Sequence, residues 1–487
     1  MNKKLIGLLF LVFVVQIIYI TNNTNLNLLW NHNIDEHAFH GSLLRMFNGF
    51  KNFDLRLIFG TGFFNYGWLY FLINFIFTAP FFYLDADTMT VIMPRLISSV
   101  SSLISLLYII KIFKLKKENY YSIIILVCFP SFWINSIIFH PDWLYVMFII
   151  IGIYYLSKDN YTFGKEFNKS VILFSISFCI KIQSVLFAPI LIFYVLFSNK
   201  HLIGKLKYLT VIGITFVAFR LATNPYLINP EGFLAFIKGF IDDMNSNRTN
   251  HGSNIKVTIF EKIKTIGNNY LNIISFLPLL LWTIYKYFNN KKKNLELCIY
   301  ATFILNLLYL LLFVNKSWQH YYLMVMILFV LIINSLMKNE KRHKFLFAFI
   351  IISQIFLNFK FYPKIKVNNS VLIERINEID KWLINRVQTN QTILIVGQTG
   401  VSISKIELKF ENIHRVYGDF GEDHLYNYNN HYPGKPIIKD FIIISKNHLD
   451  SLDLKNKIKI LKDSYFKLEE NDSDILFQKN KLFSISN

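Results

Sequence analysis

Long apolar stretches separated by short lysine-rich segments constrain this chain more than any other feature. About 20 apolar residues carry a helix across the hydrocarbon core of a bilayer, and such runs recur from residue 5 to residue 359. In lipid every backbone polar group must be satisfied within the protein, which leaves helices as the form these runs can take. With 53% of its 487 residues hydrophobic, the chain reads as an α-helical polytopic membrane protein.

The formal charge of +20 invites a nucleic-acid reading, but the position of the charge argues against it. Lysines cluster between apolar runs, at 111–117, 200–207, 286–293 and 338–344. This is the positive-inside pattern of cytoplasmic loops, and no basic stripe interleaved with aromatics accompanies it. Cys128, Cys179 and Cys298 each lie in an apolar run, so neither a disulfide framework nor a cysteine metal cluster is expected. The N-terminus, Lys3-Lys4 followed by an apolar run to Ile20, resembles a signal peptide without the small-residue cleavage site. An uncleaved anchor with a cytoplasmic N-terminus is the expectation. Richness in Lys, Asn, Ile and Phe suits a bacterial source, so the expected location is the bacterial cytoplasmic (inner) membrane.

The basic loops then set the topology. Spans are expected over 91–113, 121–139, 143–156, 171–180, 185–197, 208–222, 270–287, 295–314, 321–336 and 345–359, about eleven with the first helix. Residues 63–84 are apolar enough to span, but a span there would invert every later basic loop. Pro80 and the Tyr66-Gly67 turn favour a segment that lies in or dips into the outer leaflet. A transmembrane domain over 1–360 follows, with a first outer loop at 22–90 and a large outer loop at 223–268. In the first loop Phe39, Leu43, Leu44 and Phe47 recur at the spacing of an interfacial amphipathic helix. Residues 361–487 turn polar, with strand-like runs at 392–396, 415–417, 441–445 and 475–477 behind a helix at 371–386. They read as a small extracytoplasmic α/β domain. Gly397-Gln398-Thr399-Gly400 fits neither dinucleotide nor P-loop spacing and reads as a turn.

Polar residues gather on the outer side of this arrangement. Asp35 and Glu36 follow the first span; they are a solvated loop or, entering an interfacial helix, a general base or cation holder. His140-Pro141-Asp142 starts the span at 143, as a capping turn or as an acceptor or cation site. Lys181 interrupts the paired short runs at 171–180 and 185–197, and Arg220 ends another run. Both either snorkel to the interface or neutralise a phosphate held there. His320 follows Trp318 in an outer loop whose Trp318, Tyr321 and Tyr322 fit an aromatic belt, and it can donate to a phosphate or sugar. Asp242, Asp243, Arg248 and His251 are candidate acceptor contacts in the large outer loop, where solvated polar residues are the ordinary case.

The order of these features resembles the GT-C superfamily of membrane glycosyltransferases, especially the bacterial branch of protein O-mannosyltransferases and the lipid A aminoarabinose transferase. The matching pieces are Asp35-Glu36, Tyr66-Gly67-Trp68-Leu69-Tyr70, Arg95, Pro141-Asp142, Lys181, Asn224-Pro225-Tyr226 and His320-Tyr321-Tyr322. They cover about residues 1–360, and Asn65-Tyr66-Gly67 stands where relatives often carry Pro-Pro. The resemblance implies an inverting transferase that moves a sugar from a polyprenyl-phosphate donor to a hydroxyl of a lipid, glycan or protein. It implies Asp35 as base with Glu36 beside it, and Lys181, Arg220 and His320 on the donor phosphate. Asp142 and His140 are left to the acceptor or a cation, a divalent cation being compatible and no other cofactor called for.

A transporter or flippase for a lipid-linked or anionic substrate is the rival from another class, with Lys181 and Arg220 lining a path. Its usual pair of related halves is not visible here. Membrane polymerases and ligases of polysaccharides lean instead on outer-loop arginines. The topology has a direct check in Lys116→Cys, introduced into a cysteine-free background. An impermeant thiol reagent added outside the cell is expected to leave it unlabelled. Labelling from outside would invert the scheme.

Overall fold

A computed structural model of the chain describes residues 3–22, 24, 34–59, 66–112, 121–249, 257–288, 295–337, 350, 352–354, 369–388, 390–396, 412–416, 440–446 and 465–479. The chain divides into two compact units, residues 1–24 with 38–364, and residues 25–37 with 365–487. Each is taken by itself.

The first unit is helical. Its elements are α1 (Lys3–Asn22), α2 (Ile34–Asn52, whose first residues through 37 group with the second unit), α3 (Leu55–Phe59), α4 (Trp68–Tyr83), α5 (Asp87–Ile112), α6 (Tyr121–Val127), α7 (Pro130–Ser136), α8 (Asp142–Asp159), α9 (Lys165–Ile180), α10 (Pro189–Leu196), α11 (Leu202–Thr223), α12 (Pro230–Thr249), α13 (Ile259–Asn269), α14 (Ile273–Phe288), α15 (Leu295–Leu312) and α16 (Leu323–Met337). Among the described residues, three helices are long and apolar enough to cross a membrane, at Thr88–Ile112, Leu202–Thr223 and Leu295–Leu312. Several expected spans are instead broken. The run at 121–139 is divided into α6 and α7 where Pro130 opens the second piece, a position proline favours because its missing N–H is not needed there. The run at 185–197 is a 3₁₀ turn, Ile182–Phe187, followed by α10 with Pro189 at its start. Helices α13 and α14 meet at a bend of 105°. The 16 residues of α4 reach about 24 Å, less than the roughly 30 Å of the hydrocarbon core. The expected run at 345–359 lies largely outside the described residues.

Much of the segment expected as the large outer loop is helical. In α12 the large apolar side chains Phe233, Leu234, Ile237, Phe240, Ile241 and Met244 are exposed at the three- and four-residue spacing of one helical face. The candidate side chains Asp242, Asp243, Arg248 and His251 in this region lie outside the described ones.

Helices α5, α8 and α9 pack side by side at the centre of the unit, around a core that includes Trp143, Ile149, Ile153, Phe167 and Phe174. Polar groups join the bundle as well. Gln16 of α1 donates to Ser102 (3.1 Å) and Ser136 (2.8 Å) and accepts from Ser99 (2.6 Å). Buried bonds of this kind between membrane helices contribute on the order of 0.6 kcal/mol each. They also fix the rotation of α1 against α5 and α7.

In the second unit, helix α17 (Asn369–Arg386) precedes five strands: β1 (Thr392–Val396), β2 (Asn412–Val416), β3 (Phe441–Ser445), β4 (Tyr465–Glu470) and β5 (Asp474–Lys479). The sheet order is β2-β1-β3-β5-β4. β1 runs parallel to β2 and β3, and β5 is antiparallel to β3 and β4. Ile379 and Leu383 of the helix cover Ile393, Ile395, Phe441 and Ile443. Arg375 holds Asp474 through two bonds of 2.5 and 2.6 Å, the fork geometry that suits arginine and a carboxylate. Fold class is thus as the sequence suggests, a polytopic helical membrane protein with a small C-terminal α/β domain.

Candidate active site

The site grows from a break in a helix. Helix α9 ends at Ile180, and Lys181 takes an extended conformation (φ −146°, ψ 122°) before the 3₁₀ turn begins. A helix that stops inside a membrane protein leaves carbonyls without partners, and these must be satisfied by protein. Gly67 N–H donates to the Ile180 carbonyl at 2.9 Å. Arg220 Nη1 donates to the carbonyls of Phe178 (3.1 Å) and Cys179 (3.3 Å). Trp68 N–H in turn donates to Asn224 Oδ1 at 2.8 Å, and Tyr66 forms a β-bridge with Lys181. The segment 66–68 is thereby clamped to the break. Only glycine fits at position 67, because a Cβ there would land on the Cys179 carbonyl oxygen and 2.7 Å from Arg220 Nη1.

The break turns Lys181 inward. Its ammonium donates to Asp142 Oδ1 at 2.7 Å, and both side chains are buried. The rings of Tyr66 and Tyr145 flank it, with centroids at 5.5 and 5.8 Å. Asp142 is the first residue of α8, with Pro141 as the N-cap and no side-chain capping bond. The capping role open to Asp142 from sequence is therefore not the one it takes. Its other oxygen, Oδ2, lies 2.7 Å from His140 Nδ1, and the His140 carbonyl accepts from Ser98 at 3.2 Å.

His320 completes the cluster, its ring centroid 5.0 Å from that of His140. It sits in a 3₁₀ turn, Gln319–Tyr322, which Tyr270 holds by donating from its hydroxyl to the Gln319 carbonyl. Phe39 packs on His140 at 5.7 Å and on Tyr66 at 4.8 Å between ring centroids. One nitrogen from each histidine and one oxygen of Asp142 lie within 4.8 Å of one another. Among the described residues this is the group with the donor atoms to hold a metal ion.

The residues singled out from sequence separate into three sets. Asp142, His140, Lys181 and His320 come together. Arg220 is buried, and its Nη1 donates to the α9 carbonyls of Phe178 and Cys179. Asp35 and Glu36 open α2, with Glu36 buried and Asp35 half-buried, in the segment that groups with the second unit. Sequence reasoning missed Tyr145, three residues after Asp142 and so on its helical face, and gave no weight to Tyr270 or to buried Lys262 and Lys316. For Tyr145 the available signal was a hydroxyl inside an apolar run.

Comparison with known proteins adds two findings. The model of the family described as dolichyl-phosphate-mannose-protein mannosyltransferase matches residues 70–222, the stretch that holds Asp142, Lys181 and Arg220. The crystal structure of ArnT from Cupriavidus metallidurans bound to undecaprenyl phosphate has the same fold, with a TM-score of 0.58 at 9% identity over 99% of both chains. Its apo crystal structure aligns over 85% of this chain and 88% of that one, at 8% identity and a TM-score of 0.49. The curated proteins hold no significant match. The family model thus matches the central part of the helical unit, and the fold is shared with the undecaprenyl-phosphate-bound ArnT structure along the whole chain.

The buried Lys181–Asp142 pair generates a prediction. Removing one member of a buried ion pair typically costs about 3–5 kcal/mol because the other is left charged and unpaired. Lys181→Met and Asp142→Leu are each expected to lower the thermal unfolding temperature in detergent sharply. The double variant should recover most of the loss. Losses that simply add would contradict the pairing.

Proposed function

We propose that this protein transfers a sugar from a polyprenyl-phosphate donor to a hydroxyl of an extracytoplasmic lipid, glycan or protein, with inversion at the anomeric carbon. The observation that carries the reading is the buried lysine at a helix break beside Asp142, in a chain with the fold of a transferase crystallised with undecaprenyl phosphate. Supporting it, the family match spans the same residues.

The chemistry follows from charge. The acceptor oxygen attacks the anomeric carbon, and the bond from that carbon to the phosphate oxygen breaks. The bonding pair leaves with the phosphate, which gains one negative charge. Preorganised cations aimed at that charge lower the barrier more than they would in water. Lys181 is the principal one, aided by His320, with Arg220 holding the break in place and available to the phosphate. Asp142 and His140 face the acceptor or a cation. The acceptor proton passes to Asp35, with Glu36 orienting it.

In this reading residues 1–360 form the transmembrane catalytic domain and 361–487 an extracytoplasmic domain. The protein resides in the bacterial cytoplasmic membrane with its N-terminus inside. Asp35→Asn tests the base. In proteoliposomes supplied with a labelled polyprenyl-phosphate sugar, transfer should fall by about 10²–10⁴-fold, with the unfolding temperature unchanged. Full activity in that variant would remove Asp35 from the reaction.

A further inference from the structure

We propose that His140, His320 and Asp142 form a binding site for one divalent transition-metal ion of the zinc class. Two segments far apart in sequence supply the donors. His140 and Asp142 come from the turn that starts α8, and His320 comes from the 3₁₀ turn before α16. Their ligand atoms lie within 4.8 Å of one another. His140 and Asp142 are buried and His320 is half-buried, leaving one side for an exchangeable ligand, as in metal sites that act on a substrate.

The donor set selects the metal. Two imidazole nitrogens and one carboxylate oxygen suit zinc, cobalt or nickel. Magnesium and calcium prefer a shell of oxygens, which this group does not offer. Charge points the same way. Lys181 lies on Oδ1 of Asp142, offsetting its charge and leaving Oδ2 against His140. A dication is then held chiefly by neutral nitrogen donors, the bonding in which zinc-class ions exceed hard ones.

The supports are rigid. Tyr270 fixes the backbone of the His320 turn through the Gln319 carbonyl, and Ser98 fixes that of His140. Tetrahedral bonds of about 2.0–2.2 Å set ligand atoms roughly 3.3 Å apart. Loading therefore widens the 2.7 Å contact between His140 Nδ1 and Asp142 Oδ2 by a fraction of an ångström and draws His320 in.

The test reads the metal directly and does not depend on the transferase reading. Full-length protein in detergent, freed of metal by chelator, is titrated with Co²⁺. The expected result is one Co²⁺ per chain, with the visible bands of a low-coordinate nitrogen-ligated ion, displaced by Zn²⁺ and not by Mg²⁺. His320→Gln and His140→Ala should each weaken binding by more than about 100-fold, while His201→Ala leaves it unchanged. His320→Gln preserves bulk at a half-buried position, so it remains informative if His140→Ala does not fold. No stoichiometric Co²⁺ in the wild type, or unaltered binding in folded His320→Gln, would overturn the site.

Discussion

An ammonium and a carboxylate, 2.7 Å apart and removed from water, set the terms for everything around them. Neither Lys181 nor Asp142 is tolerable alone at that depth, so each element that positions one must be fixed relative to the element that positions the other. Helix α9 has to stop at Ile180 for Lys181 to turn toward Asp142, and α8 has to start at Asp142 for the carboxylate to meet it. Stopping α9 exposes carbonyls, which brings in Arg220 and the backbone of Gly67. Clamping Gly67 carries Tyr66 over the ammonium and Trp68 onto Asn224. A single charge pair thus recruits parts of α4, α8, α9 and α11 into one rigid group.

The same logic explains why the group is polar in a chain so apolar. A buried ion pair adds little net stability against a well-packed hydrophobic alternative, so its retention points to use. Here the pair has further partners: His140 on the second oxygen of Asp142, and His320 against His140. A phosphate arriving at Lys181 would compete with Asp142 for the ammonium and shift that carboxylate's interactions toward the two histidines. The energetic coupling between donor and histidine cluster would be carried by Asp142.

The sequence made the individual residues visible because each violates its surroundings. Lys181 between two short apolar runs, His140 and Asp142 at the edge of a span and His320 before another are polar groups that an apolar setting does not tolerate without partners. Their pairing was not visible, since Asp142 and Lys181 stand 39 residues apart and nothing local links them. For Arg220 the sequence offered a snorkelling or a phosphate cation; its bonds to the carbonyls of Phe178 and Cys179 were not legible, because those acceptors exist only once α9 has broken. Gly67 looked like an ordinary turn residue, and its need for a bare Cα arises from a chain segment more than 100 positions away. In the C-terminal unit, β1 and β3 were legible as fully buried apolar runs. β4 was missed because the charged Lys467, Glu469 and Glu470 remove the apolar pattern, and β2 lay slightly earlier than its hydrophobic residues suggested.

The account rests on the reacting phosphate coming to the Lys181–Asp142 group. A polyprenyl phosphate carrying a photoreactive diazirine next to the phosphate, crosslinked to the protein in native-like vesicles and mapped by mass spectrometry, measures that contact. Labelling should concentrate on residues 66–68, 140–145, 180–182 and 318–322, and unlabelled polyprenyl phosphate should compete it away. Labelling confined to the exposed face of α11 or to residues 369–479, with none in those four segments, would contradict the account.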